Sequence, residues 1–112
     1  MAGVEIKKSM YDYAKGVEEE LKALRTPRQV ERYLDYILEI RREQWYNSDT
    51  GKWETIKYIL VRTVGGPNVY IDTDGYIYAF WGAEKVEYPI VDDNALRGLK
   101  NIENHLFELF GD

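Results

Sequence analysis

The residues able to do chemistry are few, and the chain geometry around most of them has a simpler use for them. Asp72-Thr73-Asp74-Gly75 alternates carboxylates ahead of a glycine, as a calcium loop does. Such a loop needs further oxygen ligands, yet its first position falls on Tyr70 and its closing glutamate position on Trp81. The same four residues suit a hairpin turn, and that is the reading adopted. Val64-Gly65-Gly66-Pro67-Asn68 lacks the lysine and the strand–loop–helix setting of a phosphate loop, so it too reads as a turn. His105 is the only histidine, which removes multi-histidine metal sites and most acid–base triads. It lies beside Asn101 and Glu108, off the apolar stripe of its helix, and reads as exposed. Ser9 and Ser48 carry no nucleophile signature, and Asp92-Asp93 opens a helix, where capping and the macrodipole account for both carboxylates. The absence of cysteine excludes disulfides, thiolate catalysis and cysteine-based metal sites. The expectation is no catalytic residue, no cofactor and no metal.

Two groups of residues remain that could act by binding. The first is basic: Arg25, Arg28, Arg32, Arg41 and Arg42, with the stacking rings of Trp45 and Tyr46 close behind. Glu31, Asp35, Glu39 and Glu43 are interleaved with them at spacings that pair charges along a helix. The whole chain carries a net charge of −5, which opposes bulk attraction to nucleic acid or anionic membrane and leaves only a local patch to provide it. The second group is aromatic and apolar and lies within residues 61–82 and just before them. Ten Tyr and three Trp in 112 residues bring large contact areas, so the core is aromatic-rich or some rings face a partner.

The elements that position these groups follow from periodicity. Ile6, Met10, Tyr13, Val17, Leu21 and Leu24 step by three and four and predict a helix over 5–24, in which Gly16 is a weak point or a close helix crossing. Thr26-Pro27-Arg28-Gln29 is a start signal: an N-cap threonine, proline at the first helical position and glutamine closing a capping box. A second helix is expected over 27–46, its stripe running through Val30, Tyr33, Leu34, Ile37, Ile40 or Arg41, and Trp45, and ending at the turn formers Asn47 to Gly51. From Trp53 the period becomes two, predicting strands over 53–64, 68–73 and 76–81 and a short edge strand over 85–88 before Pro89. A last helix, over 94–110, carries Leu96, Leu99, Ile102 and Leu106. No βαβ alternation occurs. The expected fold is α+β: an N-terminal helical hairpin, a three- to four-stranded antiparallel meander and a C-terminal helix, in one domain over 1–112.

Read as two-residue type I′ turns, Gly65-Gly66 and Asp74-Gly75 set the register: Leu60 opposite Ile71, Ile71 opposite Tyr78, Val69 opposite Phe80. One face then collects Tyr58, Leu60, Val69, Ile71, Tyr78 and Phe80 and serves as the core. The other collects Ile59, Val61, Tyr70, Ile77, Ala79 and Trp81, more apolar than a solvated sheet face normally is. Either the helices divide between the two faces, or all share one and the second meets another molecule. Trp81 is expected on that interface.

The run Leu60 to Asp72, LVRTVGGPNVYID, resembles a strand–Thr–x–Gly-Gly-Pro–strand segment of some small uncharacterised prokaryotic proteins, plasmid-borne ones among them. The resemblance covers about a tenth of the chain, differs in its use of Val64, and implies no activity or site. The N-terminus has no continuous apolar segment and no run approaches bilayer length, so a soluble, cytoplasmic protein is expected. Two Gln, two Met and abundant charged residues are compatible with a thermophilic source. The functional expectation is a non-catalytic interaction module, homodimeric in its simplest form, using Ile59, Val61, Tyr70, Ile77, Ala79 and Trp81. The alternative is nucleic-acid binding through Arg25, Arg28, Arg32, Arg41 and Arg42. A third reading, ligand binding or catalysis, would need Glu54, Tyr58 and Asp72 in one pocket.

Overall fold

A computed structural model describes residues 2–111. The order is α1 (Ala2–Lys22), α2 (Pro27–Leu34), β1 (Glu39–Asn47), β2 (Lys52–Thr63), β3 (Asn68–Asp72), β4 (Tyr76–Trp81), β5 (Glu84–Pro89) and α3 (Asp93–Phe110). The five strands form one antiparallel meander, each paired with its sequence neighbour. The fold is α+β, with one strand more than the sequence predicts.

That strand comes from the second helix. The Thr26 cap forms as expected: its side chain accepts from the Gln29 N–H, and Gln29 Oε1 accepts from the Thr26 N–H. The helix nevertheless stops after Leu34, and 39–47 pairs with β2 instead of continuing it. Glu, Arg and Gln in this stretch favour helix, but intrinsic preferences are worth only tenths of a kcal/mol per residue and a hairpin ladder overrides them. Asn47 to Gly51 is a turn, as its composition says, but it joins two strands: Asn47 and Lys52 pair across it.

All three helices lie on one face of the sheet. Met10, Ala14, Val17 and Leu21 of α1, Val30 and Tyr33 of α2, and Ala95, Leu99, Ile102 and Leu106 of α3 form one core with Tyr58, Leu60, Val69, Ile71, Ile77, Ala79 and Val86. Each large side chain so buried contributes about 1.5–3 kcal/mol. The helices approach closely at Gly98, where a Cβ would fall on the Leu21 carbonyl. Gly16 is not the crossing point: it is exposed, with nothing within 4 Å of a built Cβ.

Half of the expected register holds. Leu60 faces Ile71 and Val61 faces Tyr70, but Asp72 pairs with Tyr76, so Ile71 faces Ile77 and Val69 faces Ala79. The turn holds three residues, Thr73, Asp74 and Gly75, because Asp72 accepts from the Asp74 N–H through Oδ1 and from Gly75 N–H through its carbonyl. Gly75 takes φ +109°, where a side chain would be strained. This one-residue difference exchanges the two faces of β4 and leaves β2 and β3 as predicted.

Two glycines therefore make opposite predictions. Gly98→Ala should cost at least 2–3 kcal/mol (~), because backbone must move to admit the methyl group. Gly16→Ala should stabilise by about 0.5–1 kcal/mol through helix propensity alone. Urea denaturation of both variants beside wild type measures the contrast.

Candidate functional site

Two surfaces stand out once the helices are in place: the uncovered sheet face and a projecting hairpin. On the uncovered face Glu39, Val61, Tyr70, Tyr78 and Glu87 form one cross-strand row, and Arg41, Ile59, Asp72 and Tyr76 the next. Aromatic rings here carry cations. The Arg41 guanidinium lies 5.7 Å from the Tyr70 ring centre, and Lys85 lies 5.6 Å from Tyr78 and 5.8 Å from Phe80. Tyr70 packs against Phe80 and Tyr76 stacks on Tyr78. Lys57 is bound 2.8 Å from the buried Asp72 carboxylate, with Glu43 and Asp74 each 3.7 Å away. Its hydrogen bond to Asp72, and then the nearby carboxylates, raise the Lys57 pKa against the opposing effect of desolvation. Glu39, Glu43, Asp72, Asp74 and Glu87 outnumber Arg41, Lys57 and Lys85.

The hairpin is built differently. β1 pairs with β2 from Glu39–Val61 out to Asn47–Lys52, whereas β3 pairs with β2 only between Ile59 and Thr63. The outer half is thus a two-stranded ribbon. A radius of gyration of 15.1 Å, against about 13 Å for a compact chain of this length, agrees with a projecting element. Where the ribbon leaves the sheet, Lys57 pairs with Glu43 but Thr55 with Gln44, leaving Ile56 as the extra residue of a bulge. The ribbon is held by Tyr46 and Trp53, packed edge to face at 5.4 Å, and by Asn47 donating to Glu54 at 3.1 Å. Trp45, Tyr46, Trp53 and Ile56 are 50%, 49%, 60% and 47% exposed, a concentration of large apolar side chains in water. At the ribbon's root Ile40, Arg42, Tyr58 and Phe110 line a depression of ≈ 360 Å³.

Of the six residues expected at an interface, Ile59, Val61 and Tyr70 do share the uncovered face, with Val61 already 2% exposed beneath its neighbours. Ile77 and Ala79 are fully buried in the helix-facing core, and Tyr76, Tyr78 and Phe80 take their places. Trp81 also follows the helix-side register; its ring covers the turn, 3.1 Å from where a Gly66 Cβ would stand. The cause is the three-residue turn at Thr73-Asp74-Gly75.

The five arginines do not make one stripe. Arg25 lies in the connection before the Thr26 cap, Arg28 and Arg32 are on α2, and Arg41 and Arg42 are on β1 and point to opposite sides of the sheet. Glu54, Tyr58 and Asp72 are likewise apart: the ribbon, the helix-side core and the uncovered face hold one each. His105 is half-buried, beside Asn101, Asn104 and Glu108 in a depression between α2 and α3. Among the described residues no group of three or more Asp, Glu or His side chains is placed to hold a metal ion, and no helix is long and apolar enough to cross a membrane.

A polar cluster ties α1, α2 and β2 together. Glu20 accepts from the Tyr33 hydroxyl at 2.8 Å and from both Nε and an Nη of Arg62. Compared with known protein families, curated proteins and solved structures, the chain matches none.

Lys57→Met should lower the unfolding free energy by about 3 kcal/mol, since it leaves a buried carboxylate without its cation. Adding Asp72→Asn should recover part of that loss, which a double-mutant cycle in urea will measure. Burial, and then the bond to Glu20, push the Tyr33 phenol well above the ordinary tyrosine range. A raised folded-state pKa means stability that is intact below about pH 10 and lost as pH rises beyond it. Tyr33→Phe should reduce that alkaline loss while costing about 1 kcal/mol at neutral pH, as thermal midpoints across pH will report.

Proposed function

We propose that this chain is a non-catalytic association module that binds another polypeptide through its β1–β2 ribbon, with a homodimer the simplest form. The observation that carries this reading is the half-exposure of Trp45, Tyr46, Trp53 and Ile56 on a ribbon that has no third strand beside it. An isolated two-stranded ribbon is marginal in water, and a partner would remove exposed apolar area together with one of its two free edges. Tryptophan and tyrosine are also the side chains that most often dominate interface energetics.

The uncovered sheet face supports the same choice by contrast. Its rings are overlaid by Arg41 and Lys85, and its buried charge is paired, so it is suited to remain in water. Five carboxylates there and the division of the arginines between layers argue against a nucleic-acid groove. A cysteine-free acidic chain suits a reducing compartment, and we assign it to the cytoplasm.

A photoreactive amino acid in place of Trp53 tests the reading in cells. Protein adducts should form there and not from the same group at Tyr36, which is more exposed but lies outside the ribbon. No adduct at position 53 above that control would overturn the proposal. Trp53→Ala should lower monomer stability by no more than about 1 kcal/mol, the value of one edge-to-face ring pair, rather than the 3–5 kcal/mol (~) of a core aromatic.

A further inference from the structure

The two edges of the sheet are not alike. β5 is six residues long, ends in Pro89 and carries Glu84, Lys85 and Glu87, the usual protections against edge pairing. β1 is nine residues long and has no proline; its charges, Glu39, Arg41, Arg42 and Glu43, all lie in its first five residues, and Gln44 to Asn47, within the aromatic ribbon, carry none. We propose that β1 pairs with β1 of a second copy, antiparallel and centred on Gln44, joining two meanders into one continuous sheet. This rests on the association reading above and names its partner and register.

Symmetry limits the possibilities sharply. A two-fold axis normal to the sheet keeps each residue on its own face, so position i can oppose only positions of the same parity. Each register is then defined by the residue that opposes itself. Centring on Arg41 or Arg42 sets like guanidiniums against each other, and centring on Glu43 does the same with carboxylates. Centring on Gln44 is the longest overlap that avoids these clashes. It sets Gln44 against Gln44, Glu43 against Trp45, Arg42 against Tyr46 and Arg41 against Asn47.

No like charges face each other in that register. The Arg42 side chain, which has no ion pair among the described residues, meets the partner's tyrosine ring as a cation over a π face. Glu43 keeps Lys57 of its own chain. The two Trp45 rings become diagonal neighbours, roughly 7–8 Å apart at the backbone and within reach of each other. At about half exposure, Trp45 and Tyr46 offer roughly 200 Å² per copy, about a third of what the smallest specific interfaces bury on each side. The backbone and flanks of seven paired residues supply the rest.

The natural absence of cysteine makes the register directly testable. Opposed residues at the centre of an antiparallel pair have Cα atoms about 4.5–5.5 Å apart, within the range a disulfide bridges. Gln44→Cys should therefore oxidise quantitatively to a species of twice the 13.2 kDa chain mass, whereas Glu87→Cys on the β5 edge should not. Wild type should sediment as a concentration-dependent dimer, and Trp45→Glu should weaken that dimer at least tenfold with an unchanged circular dichroism spectrum. A wild-type monomer at all micromolar concentrations would overturn the inference. So would a dimer in which Gln44→Cys bridges no better than Glu87→Cys. The two proposals fail separately: a monomer whose position-53 probe still captures a different protein ends the self-pairing and leaves the association reading standing. A monomer with no adduct ends both.

Discussion

Leu21 and Gly98 bring the backbones of α1 and α3 together with no side chain between them, and the arrangement of the molecule depends on that approach. Two helices this close form a narrow layer. It covers β2 through β5 with Met10, Val17, Leu21, Leu99, Ile102 and Leu106, and among the described residues no helix lies on the reverse face. α2, only two turns long, completes the layer beside α3 and adds Val30 and Tyr33. The Glu20, Tyr33 and Arg62 cluster then ties three elements at one point: α1, α2 and β2. A side chain at position 98 would push the helices apart and open the core along its length.

With one layer of helices, the sheet must tolerate water on its other side while still carrying aromatic residues. It does so by interleaving. Tyr70, Tyr78 and Phe80 are half-buried under one another and under the aliphatic stems and charged ends of Arg41 and Lys85. Asp72 has a second duty on this face: one carboxylate oxygen binds Lys57 and the other fixes the β3–β4 turn. The charge pair and the register are therefore set by one side chain. On the ribbon Tyr46 packs edge to face on Trp53, but among the described residues no cation lies over a ring there, and Trp45, Tyr46 and Trp53 stay about half exposed.

The local signals in the sequence identified much of this. The α1 stripe, the Thr26 capping box, the Asp92 cap of α3 and the positions of β2 to β4 are all legible because each depends on residues within a turn or a strand of one another. Excess apolar surface on the sheet was expected from Ile59, Val61, Tyr70, Ile77, Ala79 and Trp81, of which Ile59, Val61 and Tyr70 do lie on the uncovered face, whereas the exposure of Trp45 and Trp53 on a ribbon was not read. The signal that would have revealed β1 was present as well: Trp45-Tyr46 and Trp53 flank a run of turn formers, as in a hairpin. It was outweighed by helix-forming Glu, Arg and Gln, because an edge strand exposed on both sides shows no burial alternation.

What the sequence alone determined is the class of fold, the helix starts and the chemistry that is missing from the chain. Tertiary structure decided which residues share a surface. One extra residue in the β3–β4 turn moved Ile77 and Ala79 into the core and brought Tyr78 and Phe80 out to water. Pairing with β2 separated Arg41 from Arg42, which a helix would have kept on neighbouring positions of one cylinder. The physical reason is the period of two in a strand: a shift of a single residue reverses every side chain beyond it, and nothing within the strand itself opposes that shift.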